Sequence, residues 1–117
     1  EVTRPTLYGA QHPLTLVSQD EKKGEEKGYI VAGHCCESGG IWTPELNNPE
    51  GLKPRRFLEA NVGDLMVIGG VGAYCSGMSL KNYNSFPEAA EVLLRKDGKI
   101  ELIRKREKVE EIFRNEL

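Results

Sequence analysis

Glycine and proline punctuate this chain so densely that no long element can form over most of it. Between Pro5 and Gly98, at most ten residues separate one of them from the next. Proline removes a backbone donor, and glycine weakens helices and strands alike. The β-prone runs that fit between the breaks are short, at 14–17, 29–32, 56–58, 64–68, 89–94 and 100–104. Strands at such spacing, with turn signals between them, predict a mainly β domain, an antiparallel sandwich or a Greek-key-like barrel. Beyond Gly98 the punctuation stops, and Val109, Ile112 and Phe113 keep a helical spacing with charges on the other face, which predicts a short C-terminal helix. A length of 117 residues suits one domain, expected to occupy 1–117.

Local signals refine this outline. Pro5 and Pro13 leave room for one helical turn before the first strand. The charged stretch 18–28, SQDEKKGEEKG, has no apolar period and predicts a solvated hairpin loop. Prolines and paired asparagines make 41–52 read as an exposed connection, followed by a basic cluster at 53–56. Asp97-Gly98 predicts a type I′ turn joining the last two strands.

Sixteen basic against eighteen acidic residues leave a net charge of -2, which supplies no field for nucleic acid or an anionic membrane. No apolar run approaches the ~20 residues of a spanning helix, and the N-terminus lacks the pattern of a signal peptide, so a cytoplasmic chain is expected. Three cysteines, two of them adjacent at Cys35 and Cys36, read as reduced thiols rather than a disulfide framework. The adjacent pair lacks a second close pair, and His12 and His34 do not complete a tetrahedral site convincingly, so no metal site is expected. The chain begins with Glu1 rather than Met, which reads as a fragment or domain of something longer.

Three segments carry chemistry. In HCCESGG, residues 34–40, a thiol precedes a carboxylate and a hydroxyl in a loop entered from a strand. Either His34 assists a reactive thiol, or Cys35 packs in the core while Cys36 and Glu37 are solvated. In GGVGAYCSGMSLKNYN, residues 69–84, the phenol of Tyr74 lies among glycines that leave amides accessible. That combination complements an anion such as phosphate, or it is a glycine-rich turn with a packed tyrosine. Arg4 and Tyr8 are four apart, hence on one face of a helical turn, and a guanidinium with a phenol is a carboxylate-binding pair.

Taken together, RPTLY, CES after a strand, and GAY followed by M-S, YNS-x-P and AEVLL resemble the C-terminal domain of the fold-type III pyridoxal-phosphate decarboxylases, in their diaminopimelate branch. Glu37 in CES is similar to that branch, whereas ornithine and arginine decarboxylases tend to carry aspartate. The resemblance implies that Arg4 and Tyr8 hold the distal carboxylate of a small amino-acid substrate and that Glu37 pairs with its distal ammonium. It implies that Cys36 is catalytic and enters the neighbouring subunit's site in a homodimer, and that Tyr74 reaches both substrate and cofactor phosphate. Pyridoxal phosphate itself, with its Schiff-base lysine, would be held mainly by a preceding (β/α)8 barrel domain, which this chain does not contain. A family aspartate after CESG is replaced here by Gly40. The rival expectations are a non-catalytic binding or dimerisation module, or a domain of a related amino-acid decarboxylase.

Overall fold

A computed structural model describes residues 4–19, 21, 24–72, 74–79 and 81–117. The chain forms two compact units, Glu1–Ser79 and Leu80–Leu117.

In chain order the first unit contains a helical turn α1 (Pro5–Tyr8) and strands β1 (Leu14–Val17), β2 (Lys27–Tyr29), β3 (Pro44–Glu45), β4 (Asn48–Leu52), β5 (Arg55–Phe57) and β6 (Leu65–Ile68). Helix α1 starts at a proline, whose missing N–H would be unpaired there in any case. It stops at Gly9, whose φ of +63° lets the N–H groups of Gly9 and Ala10 return to the Thr6 and Pro5 carbonyls. All strand pairs are antiparallel and nested: β1 with β6, β2 with β5, and β3 with β4 innermost. Leu14 faces Ile68 and Val17 faces Leu65, and along both strands half-buried residues alternate with exposed ones.

The core is small and lies where the sequence suggested an exposed connection. Trp42 is 4% exposed and Thr43 fully buried, with Pro44 and Pro5 beside them in burial. The segment 41–52 is therefore an inner anchor followed by the β3–β4 hairpin. A buried threonine hydroxyl needs a partner, and Thr43 Oγ1 accepts the Val31 N–H at 3.2 Å. The adjoining backbone bonds run from Trp42 N–H to Val31 O (2.8 Å) and from Lys53 N–H to Thr43 O (3.0 Å).

Other expectations also change. The stretch 18–28, part of which lies outside the described residues, is not a hairpin loop, because β1 and β2 pair with β6 and β5 instead of each other. The strand expected at 29–32 is shifted to Lys27–Tyr29, leaving Ala32 in a single bridge to Ile41.

The second unit contains β7 (Glu91–Leu94), β8 (Ile100–Arg104) and α2 (Val109–Ile112). The β7–β8 hairpin forms as expected, but its turn is not type I′: only Gly98 has positive φ, at +82°, and the Gly98 N–H donates to Arg95 O. Asp97 spends its carboxylate on the Lys99 N–H (3.1 Å), leaving glycine alone in the left-handed position. Ahead of the hairpin, Asn82, Asn84 and Ser85 all have positive φ, and Glu107 holds this turn. Its Oε2 accepts from Asn82 Nδ2 (2.6 Å) and the Glu88 N–H (2.8 Å), and these two bonds, the backbone one foremost, pull the Glu107 carboxyl below its ordinary range.

The mainly β, antiparallel character holds throughout. The four ladders are each two-stranded, and among the described residues they do not join into a closed barrel.

Candidate functional site

Arg4 is the residue that precedes α1 and Tyr8 is its last, so one helical turn sets both on a cleft of about 270 Å³. The cleft is also lined by His12, Tyr74, Cys75 and Met78, all of the first unit. Arg4 Nε is buried with no hydrogen-bond partner among the described residues. A guanidinium is always charged and offers donors only, and a buried donor left unmade costs about 1–3 kcal/mol. An anion in the cleft would meet the Arg4 side chain that lines it. Tyr8, 61% exposed, has its hydroxyl 4.0 Å from Met78 Sδ, a weak contact that leaves the phenol available to a ligand.

Tyr74 enters from a tight turn in which its carbonyl accepts the Met78 N–H at 2.9 Å. Its φ of +71° is a left-handed conformation that disfavours an aromatic residue, and its side chain is 80% exposed. The reading of Tyr74 as a packed turn residue is thus overturned.

His12 is the lining residue that sequence reasoning considered only as a metal ligand. Its Nδ1 donates to Gly69 O at 3.1 Å, and its ring meets Trp42 edge-on, centroids 5.5 Å apart and planes at 75°. The Gly69 N–H in turn donates to Pro13 O at 2.8 Å. The adjacent Gly70, at φ +66°, supplies a backbone turn that favours glycine.

Cys36 and Glu37 stand apart from the lining of this cleft. Their loop is closed by Gly33 N–H to Gly40 O (2.8 Å) and Gly40 N–H to Glu37 O (3.0 Å). Glu37 Oε1 accepts the Gly39 N–H at 2.8 Å, capping the short 3-10 turn Ser38–Gly40. Cys36 is exposed and Cys35 half-buried. Gly40 is buried and bonded through its backbone alone, so the turn closes without the aspartate of the family pattern. Among the described residues no cluster of three or more His, Cys, Asp or Glu could hold a metal ion. No helix among them is long and apolar enough to cross a membrane.

The two halves are tied by Thr6, whose Oγ1 lies 3.1 Å from Ser38 O, 3.2 Å from Ile41 O and 3.5 Å from Gly39 O. The helix that bears Arg4 and Tyr8 therefore rests on the turn that follows Glu37.

Known proteins resemble this chain in sequence and in fold. Residues 1–72 match the family described as "Pyridoxal-dependent decarboxylase, C-terminal sheet domain", and the chain belongs to that family. Among curated relatives, the diaminopimelate decarboxylase of Buchnera aphidicola (Acyrthosiphon pisum) is 37% identical over 116 residues, covering 97% of this chain and 27% of the relative. That of Escherichia coli K12 is 35% identical over 120 residues, covering 100% and 28%. That of Helicobacter pylori is 40% identical over 114 residues, covering 97% and 25%. A crystal structure of diaminopimelate decarboxylase superimposes with a TM-score of 0.79 at 34% identity, over 94% of this chain and 26% of that one. The chain spans about a quarter of the length of these relatives.

Proposed function

We propose that this chain is the substrate-specificity domain of a cytoplasmic diaminopimelate decarboxylase, which converts meso-2,6-diaminopimelate to L-lysine and carbon dioxide. The observation that carries the reading is the cleft that Arg4 shares with Tyr8 and Tyr74. A carboxylate at the far end of an amino-acid substrate would accept the Arg4 fork and both phenols. Glu37 supplies a carboxylate for the distal ammonium, and Cys36 a thiol for the reacting carbon. Because neither lines the cleft of its own chain, the reading has them complete the site of a second subunit in a homodimer. A preceding (β/α)8 barrel domain carries the cofactor and its lysine, and the β ladders close into a Greek-key barrel in the whole enzyme.

The cofactor fits this division of labour. Tyr74 presents an exposed phenol beside glycine amides, which suits one edge of a phosphate, while no described lining residue is a lysine. Pyridoxal phosphate, when bound, supplies the electron sink for loss of carbon dioxide. The residues of this chain bind the substrate, orient its distal end and, through Cys36, hold a proton near the reacting carbon.

Carbon dioxide release by the full-length enzyme, measured on meso-diaminopimelate, ornithine and arginine, tests the reading. Preference for meso-diaminopimelate is expected, with no release from this chain alone; preference for ornithine or arginine would move it to a related decarboxylase.

A further inference from the structure

We propose that His12 is a specificity-determining residue of the substrate cleft, its Nε2 accepting a hydrogen bond from the ammonium at the substrate's distal end. This rests on the functional reading above and deepens it.

The ring is held from two sides, by the bond from Nδ1 to Gly69 O and by edge contact with the buried Trp42. A carbonyl oxygen only accepts, so Nδ1 must carry the hydrogen in that bond. In the neutral ring the lone pair then sits on Nε2, which has no protein partner among the described residues. Donor and acceptor counting shows why this matters. Arg4 only donates, Tyr8 and Tyr74 are best used as donors to a carboxylate, and the sulfurs of Cys75 and Met78 are weak acceptors. Among the lining side chains, His12 Nε2 is the nitrogen lone pair that an ammonium could meet. A distal amino-acid end carries both charges, and an ammonium has three donors, so one can go to His12 and another to Glu37. Substrates with a carboxylate but no amino group at that end would leave Nε2 unmatched.

Two variants of the full-length enzyme separate this role from packing. The side-chain amide of His12→Asn can keep the donor to Gly69 O but has nothing at the Nε2 position, whereas that of His12→Gln reaches the Nε2 position. With meso-diaminopimelate, His12→Asn should raise KM about tenfold at nearly unchanged kcat, the scale of one hydrogen bond to a charged group, and His12→Gln should recover most of that loss. The inhibition constant of 2-aminopimelate, which lacks the distal amino group, should stay within about twofold in both variants, and this also reports that the cleft has folded. Equal weakening of both ligands, or a His12→Asn enzyme equal to wild type, would overturn the assignment. If the wild-type enzyme prefers another amino acid, the functional reading falls separately. The same variants are then compared on that substrate and on its analogue without the distal amino group: selective weakening of the substrate upholds the role of His12, and equal weakening of both removes it.

Discussion

Thr6 Oγ1 lies 3.1 Å from the carbonyl oxygen of Ser38, which fastens the helix bearing Arg4 and Tyr8 to the turn capped by Glu37. One hydroxyl proton serves several carbonyls there, so the contact positions relative to each other the two segments that the proposed function assigns to the substrate. Thr6→Val should cost about 1 kcal/mol of stability, the net worth of a typical hydrogen bond, and raise KM more than it lowers kcat. Thr6→Ser should restore both. Steady-state kinetics with thermal melts checks this, and a Thr6→Val enzyme with unaltered KM would confine the residue to folding.

Gly39 offers a second, sharper probe. A Cβ at this position would sit 2.9 Å from Glu37 Oε1 and 3.6 Å from Arg4 Cβ. The nearer atom is the end of a flexible side chain, so Gly39→Ala should leave stability within about 1 kcal/mol of wild type while displacing the Glu37 carboxylate. A raised KM with a nearly unchanged Tm is the expected pair of results; a large fall in Tm would show that the turn itself cannot adapt.

Arg4 and Cys36 should fail in different ways. A clamp on the distal carboxylate contributes binding that ground and transition states share, so Arg4→Ala should raise KM roughly ten- to a hundredfold with kcat little changed. A thiol beside the reacting carbon acts in the transition state, so Cys36→Ala should lower kcat about a hundredfold or more. Initial-rate measurements distinguish the two, and identical patterns in both variants would remove the division of roles.

Sharing of the site between subunits is testable by complementation. A Glu37→Ala enzyme mixed with one lacking the Schiff-base lysine should regain activity once subunits exchange, because one site of each mixed dimer is intact. Random exchange of equal amounts gives a ceiling of roughly a quarter of wild-type activity per site for a symmetric dimer. Exchange demonstrated by mass spectrometry without recovery would place the Cys36–Glu37 loop in its own subunit's site.

In the second unit, the Glu107 carboxyl is held below its ordinary value of 4.5, first by the Glu88 N–H and then by Asn82. A carboxyl depressed by folding contributes stability above its unfolded pKa and loses it as pH falls through the folded one. The Tm gap between the wild-type enzyme and Glu107→Gln should therefore be full near neutrality and close progressively below about pH 4.5. A gap independent of pH would mean that the ionised form of Glu107 is not the source of the stability.

The first strand was legible residue for residue, because a proline precedes an alternating apolar run at Leu14–Val17. Its partner was not, since nested pairing joins strands distant in the chain and nothing local to β1 encodes β6. Trp42, Thr43 and Pro44 read as surface in the sequence because prolines and asparagines cluster there, yet a proline ring is also an apolar body and buries well once its missing N–H is not needed. In the site, the meeting of Arg4, Tyr8 and Tyr74 follows from motif and chemistry. The part played by His12 does not, because the groups that fix its ring, Gly69 O and Trp42, become its neighbours only on folding.

Pro5 is fully buried between the half-buried Arg4 and Thr6, while Tyr8 and Tyr74 project outward. Along residues 4–8 a buried ring that anchors the turn thus stands beside an exposed phenol that lines the cleft. In evolutionary terms this separates inheritance of the fold from inheritance of ligand choice. Exposed positions accept substitutions at little cost to stability, so a lineage can change what this cleft recognises while Pro5, Thr43 and Pro44 carry the architecture forward unaltered.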